Sequence, residues 1–191
     1  TNTGGVYSPS GDKVAMTLSS AGNSDLYTLN LSNRNLKRIA KTEALESSPS
    51  WSPNGDQIVI VSDYLGSPQL YLVNTKGGSM KRIKTNISRY CTEPDWNTVN
   101  KDLIVFTASI DGRFQVAMHS LKTGKSTQLT SISGGALQPS WMPDGRHIVY
   151  TERLNGSTRL VLLDSVTKKS NPLHSMSFGD ASGASYRINL R

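Results

Sequence analysis

Three histidines, a single cysteine and a set of recurring aspartates are the residues of this 191-residue chain whose chemistry could build a site. A metal centre needs such groups at short spacing, as in H-x-x-x-H, H-E-x-x-H or a cysteine cluster. His119, His147 and His174 stand alone, and Cys91 has no second cysteine to join it. None of the histidines sits beside a candidate acid in the sequence, so each is expected as a strand or surface histidine. A serine nucleophile on an elbow reads G-x-S-x-G, and neither GGALQ (134–138) nor SGASY (182–186) fits it. GDASG (179–183) is too short for a phosphate-cradling loop. Asp12, Asp56 and Asp144 fall in the turns SPSGD, SPNGD and MPDGR, where an aspartate side chain bonds local backbone amides. The chain is therefore read as a non-enzyme, with no catalytic residue, no metal ligand and no cofactor.

Binding is the chemistry that remains, and bulk properties limit the partner. The net charge is +7, but the basic residues are scattered, with short clusters at Lys37-Arg38, Lys81-Arg82 and Lys168-Lys169 and no basic run interleaved with aromatics. That pattern argues for a solvated basic surface, facing an acidic partner at most, and against nucleic acid. No stretch approaches the ~20 apolar residues of a membrane span, so no direct membrane insertion is expected. The lone Cys91 cannot form an internal disulfide, which suits the cytoplasm and the periplasm equally. The N-terminus TNTGGVYSPSGD carries no positive region followed by an apolar core, so a signal peptide is either removed or outside these residues.

The elements that must position a binding surface repeat. Trp51, Trp96 and Trp141 are each 45 residues apart, Pro49, Pro94 and Pro139 keep the same spacing, and Tyr7 lies 44 residues before Trp51. Within a copy the hydrophobic period is 2: QIVIVS (57–62) and QLYLVN (69–74) are β-branched and aromatic runs bounded by SPNGD and DYLGSP, the punctuation of short antiparallel strands. Proline presets φ for a turn and Asn-Gly or Asp-Gly accepts positive φ at little cost. Each copy thus reads as four strands. Four-stranded units at this period are the signature of a β-propeller, one blade per copy. The fold class expected is all-β, with blades at about 3–42, 43–87, 88–131 and 132–173, and a partial fifth blade or closing strands over 174–191. Phe178 would stand for the tryptophan there and SYRINL for a strand. The tryptophans are expected between blades, where a ring buries on the order of 150–250 Å², with ligand stacking as the alternative. The third copy carries TVNKD (98–102) for P-D-G and is one residue longer, which implies an altered turn.

Propeller geometry gathers the loops before each opening strand, and those between second and third strands, at the ends of a channel, where residues from successive blades can grip a partner. The loops ahead of the tryptophans are ALESSPS (44–50), SRYCTEPD (88–95) and ISGGALQPS (132–140), with Thr1 and Asn2 leading into the first copy. The candidate partner-binding positions are Thr1, Asn2, Ser47, Ser48, Thr92, Glu93 and Gln138.

The second copy, PSWSPNGDQIVIVSDYLGSPQLYLVNTKGGSMKRI, resembles the repeat of the TolB family, the six-bladed periplasmic propeller of the Tol-Pal cell-envelope system. Its P-x-W-S-P-D-G opening, S-D-x-x-G-x-P-x-[IL]-Y centre and G-G-x-x-x-R-[IL] close fall on Pro49, Trp51, Ser52, Pro53, Gly55, Ser62, Asp63, Gly66, Pro68, Tyr71, Gly77, Gly78 and Arg82. CTEPDW and QPSWMPDG echo the opening, and the likeness spans about residues 3 to 173. The resemblance implies a periplasmic, non-catalytic propeller that docks the peptidoglycan-associated lipoprotein Pal and contacts other Tol proteins. The family's Thr-Glu-Pro element falls on Thr92, Glu93 and Pro94 by literal match, or on Ser47, Ser48 and Pro49 by blade order. Six blades need roughly 270 residues at this period. The chain is accordingly expected to be the C-terminal portion of a longer protein that carries further blades and an N-terminal α/β domain, with closure by four blades or by two chains as the alternatives. A gating propeller of an oligopeptidase or tricorn-like protease is the competing function, and a propeller lyase or glycosidase a third, disfavoured because no His, Arg and acid clusters are visible.

Overall fold

The turns decide where each strand ends. In a computed structural model, which describes residues 3–20, 23–40, 42, 44–174 and 180–184, three copies close their first turn with the same bonds. Ser52 N donates to Gln57 O (2.9 Å) and Gly55 N to Ser52 O (2.9 Å), and Ser8, Gly11 and Lys13, like Met142, Gly145 and His147, repeat the pattern. The glycines sit at φ of 66° to 73°. At Gly145 a Cβ would also come within 2.6 Å of Val99 Cβ, so the position needs glycine on two counts. The third copy differs as its extra residue implies. Asn97 N donates to Leu103 O (2.9 Å), and the Asn97 side chain accepts from Val99 N (2.9 Å) and Asn100 N (2.8 Å).

Sixteen strands follow among the described residues, with no helix. They form four sheets of four in chain order. The first is β1 (Thr3–Tyr7), β2 (Lys13–Ser20), β3 (Asn23–Asn30) and β4 (Leu36–Ala40), and the second β5 (Glu46–Trp51), β6 (Gln57–Ser62), β7 (Gln69–Asn74) and β8 (Lys81–Arg82). The third is β9 (Cys91–Trp96), β10 (Leu103–Ile110), β11 (Arg113–Ser120) and β12 (Lys125–Gln128), and the fourth β13 (Ala136–Trp141), β14 (His147–Leu154), β15 (Ser157–Asp164) and β16 (Ser170–Pro172). Each is an antiparallel meander, the blade expected from the repeat.

The chain divides into two compact units, residues 1–84 with 89–96, and residues 85–88 with 97–191. In the first, Trp51 packs with Ile58, Ile60, Tyr71 and Val73 of its own sheet and with Ala15, Leu26 and Ile39 of the sheet before it. In the second, Trp141 packs with Ile148, Tyr150, Val161 and Leu163 of its own sheet, with Val105 and Val116 of the preceding one, and with Leu129 just after β12. Trp96 is buried as well. Trp51 and Trp141 are thus core between blades, not stacking platforms. The second strands β6, β10 and β14 are buried on both faces, as in β6, where Ile58 to Ser62 are all buried; the period-2 signal blurs there because both faces are covered, whereas β2 buries only Ala15 and Thr17. Phe178 and SYRINL lie outside the described residues, and 180–184 form no strand.

Candidate partner-binding strands

The opening strands share an irregularity that their proline hides in sequence. On β5 the pairing with β6 steps from Ser47↔Val61 to Ser50↔Val59, so Ser48 and Pro49 oppose one residue; on β13 it steps from Leu137↔Thr151 to Ser140↔Val149. These are β-bulges, two residues against one. Their first residues, Ser48 and Gln138, sit at φ of 50° and 51°, and Glu93, at the same repeat position on β9, at 52°. Left-handed backbone is costly for non-glycine residues, and the following proline narrows the choice further. Three of the seven candidate positions therefore carry strained backbone, a feature that concentrates at functional sites.

In the first unit the structure brings β5 and β9 side by side. The Ser50 hydroxyl donates to Asp95 Oδ1 (3.1 Å) and accepts from Trp96 N (2.9 Å). Ser47 and Ser48 on one strand and Thr92 and Glu93 on the next, all half-buried, occupy equivalent positions beyond that link. The loop between β6 and β7 ties into both approaches: Leu45 N donates to Asp63 Oδ1 (2.8 Å), the Ser67 hydroxyl to Arg89 O (2.8 Å) and Cys91 N to Pro68 O (2.9 Å). This loop end exposes Leu45 (54%), Tyr64 (60%), Leu65 (57%) and Tyr90 (40%), an apolar rim beside the four polar candidates.

In the second unit Gln138 is used internally. Its backbone N donates to the Thr107 hydroxyl (3.2 Å), and its side-chain oxygen accepts from the Thr151 hydroxyl (3.1 Å), which itself accepts from Gly183 N (3.0 Å). Thr1 and Asn2 lie outside the described residues.

Several ionisable groups escaped sequence reasoning. His147 does sit beside an acid: its Nδ1 contacts Asp144 Oδ2 at 2.5 Å, a correction that arises because the turn folds residue 147 back over 144. Asp144 also accepts from Arg146 N and His147 N (both 2.9 Å), the turn role expected of it, and these bonds hold its carboxyl down at about 2. Asp12 and Asp56 instead bond side chains of their own turns. His119 contacts the Ser126 hydroxyl (2.9 Å), and burial pushes its pKa down. Leu160 N donates to His174 Nε2 (3.1 Å). Glu46 is fully buried, accepting from Leu26 N (2.8 Å) and the Thr42 hydroxyl (3.1 Å), and burial raises its pKa. Arg38 donates to buried Asp25 (3.2 Å), Arg82 to buried Gln69 (3.2 Å), and Arg159 to buried Glu152. The shared 13-residue offset of the first two pairs was the available signal. Among the described residues no group of three or more His, Cys, Asp or Glu could hold a metal ion.

Residues 1–186 match a family model described as the TolB beta propeller domain. No curated protein sequence matches the chain. Among solved structures it is similar to TolB from Acinetobacter baumannii, at 25% identity and a TM-score of 0.78, over 94% of this chain and 44% of that one. It is also similar to a TolB assigned in Agrobacterium tumefaciens, at 18% identity and a TM-score of 0.76, over 88% of this chain and 63% of that one. A puromycin-hydrolyzing peptidase of Mycobacterium tuberculosis aligns at 13% identity and a TM-score of 0.68, over 91% of this chain and 29% of that one. The last two likenesses are of fold alone. The chain spans less than two thirds of the length of each of these proteins.

Proposed function

Because the chain belongs to the TolB β-propeller domain family, we propose that it is a non-catalytic, protein-binding propeller of the periplasm that docks a Pal-like lipoprotein domain on the loop end of its blades and serves the Tol-Pal system. The observation that carries the reading is the rim of the first unit, where Leu45, Tyr64, Leu65 and Tyr90 are exposed around loops cross-braced by Asp63, Ser67 and Pro68. Exposed aromatic and aliphatic side chains on a braced frame are what a protein partner uses as anchors. Polar residues border them at Ser47, Ser48, Thr92 and Glu93, which would set register and specificity.

The test is a calorimetric titration of the 191-residue chain with the soluble domain of Pal, run beside Tyr64→Ala, Glu93→Lys and Ser48→Lys. Tyr64→Ala is expected to weaken binding by more than about 1 kcal/mol if the ring is a buried anchor. Of the two charge substitutions, the one in the true Thr-Glu-Pro register is expected to lose more than about 1 kcal/mol and the other much less. Absence of binding by the folded chain sinks the Pal assignment.

A further inference from the structure

The basic clusters have no part in that rim. Between the end of each third strand and the end of each fourth, over 31–40, 75–82, 121–128 and 165–172, lie ten of the 21 lysines and arginines and none of the 14 acidic residues. All ten are exposed. Five of them, Lys37, Arg38, Lys81, Arg82 and Lys125, lie on the terminal strands β4, β8 and β12, and the other five lie in the turns that lead into the fourth strands. Of the ten, only Arg38 forms an ion pair among the described residues, with Asp25.

In the first unit these charges converge across two sheets. Lys37 Nζ, on β4, donates to the backbone oxygen of Lys76 (2.8 Å), in the turn before β8. Arg34, in the turn before β4, and Lys81, on β8, flank these two along the chain and are exposed as well. The acids next to them already have partners in their own turns, Asp12 with Ser8, Ser10 and Lys13, and Asp56 with Asn54. Lysine on an edge strand also discourages edge-to-edge pairing. Protection of that kind does not call for aliphatic side chains beside the charges, yet Leu31 and Leu36 are 43% and 47% exposed there. Cations interspersed with exposed aliphatics are the composition of a surface that lies on a membrane.

We propose that the edge formed by Arg34, Lys37, Lys76 and Lys81, with Leu31 and Leu36, seats peripherally on a bilayer rich in anionic phospholipid. The cations meet headgroup phosphates, and the two leucines reach the boundary between headgroups and acyl chains. No segment inserts across the bilayer. Each cation brought to such a surface strengthens binding about fivefold, and salt weakens it because the attraction fades over roughly 8 Å at physiological ionic strength.

The experiment is vesicle co-sedimentation of the 191-residue chain, with phosphatidylcholine alone and with phosphatidylcholine mixed with phosphatidylglycerol. Binding is expected to the mixed vesicles only, and to vanish in high salt. R34Q/K37Q/K76Q/K81Q is expected to lose at least about a hundredfold in affinity with its Pal titration unchanged. R34Q/K81Q, which leaves the Lys37–Lys76 bond intact, is expected to lose about 25-fold and guards against misfolding of the fuller variant. L31S/L36S is expected to lose about tenfold on vesicles and nothing on polyglutamate or duplex DNA. Equal binding to both vesicle types, or unaltered binding by R34Q/K81Q, overturns the proposal. So does vesicle binding that ignores the leucines while polyglutamate or DNA competes fully, since the edge would then be a polyanion site.

Discussion

At Ser48 and Gln138 the backbone is under more tension than the side chain. Each holds φ near 50° as the first residue of a bulge and precedes a proline, a conformation that costs a non-glycine residue about 1–2 kcal/mol. Ser48→Gly, offset by the greater freedom of unfolded glycine, is expected to stabilise the chain by up to about 1 kcal/mol, or roughly 2–4 °C in melting temperature for a chain of this size. Calorimetry reads this directly, and an unchanged or lower Tm would mean the bulge is not strained. Glu46 makes a second residue-scale case. Burial raises its carboxyl pKa above the ordinary range, so the native state holds that proton to higher pH than the unfolded chain does. The associated stability is present in acid and is lost as pH rises through the raised native value. Glu46→Gln keeps an acceptor for Leu26 N and carries no charge, so it is expected to be more stable than the parent at pH about 8 and no more stable at pH about 4. Denaturant midpoints at the two values check it.

At the scale of the element, the opening strand does two jobs at once. Its C-terminal tryptophan fills the space between blades, while the bulge three residues earlier redirects the chain at the loop end. Trp141 is 4% exposed among nine buried residues from two sheets. Trp141→Ala is expected to cost about 3–5 kcal/mol in chemical denaturation. A cost near zero would remove the ring from the core. Trp51 adds a polar tie, its indole N–H donating to Val6 O (3.0 Å), so one strand is pinned to its neighbouring sheet by packing and by a hydrogen bond together. The fourth strands work oppositely. They are short: β8 and β16 are exposed throughout, β4, β8 and β12 carry lysine or arginine, and only β4 sends residues, Ile39 and Ala40, into the core.

Among the described residues, side-chain character separates by location within the blade. In the first unit the rim exposes Leu45, Tyr64, Leu65 and Tyr90 beside Ser48 and Glu93, and the segments from the end of each third strand to the end of each fourth carry ten cations and no acid. The net +7 is thus concentrated in four segments of chain, since the other 11 lysines and arginines stand against all 14 acidic residues. The two proposals together predict that a protein at the loop end of the first unit and an anionic surface at its edge do not compete, and their variants separate the two because they share no residue.

The repeat, the strand count, the turns and the tryptophan core were legible in the sequence because each is written in near neighbours: a 45-residue period, Pro-Asn-Gly-Asp at 53–56, alternation along a strand, a large ring at Trp51 and Trp141. The longer turn at 98–102 was legible for the same reason. What the tertiary structure alone decided depends on register and on which strands stack. The bulge at Ser48 follows from pairing that skips a residue opposite Ile60. Arg38 finds Asp25 across an antiparallel pair, Gln138 finds Thr151, and Lys37 reaches Lys76 from 39 residues away. Even His147 and Asp144, three residues apart, meet only because a tight turn folds one over the other. Short-range preferences select the elements; the contacts that make a site form between elements, where distance along the chain no longer measures distance in space.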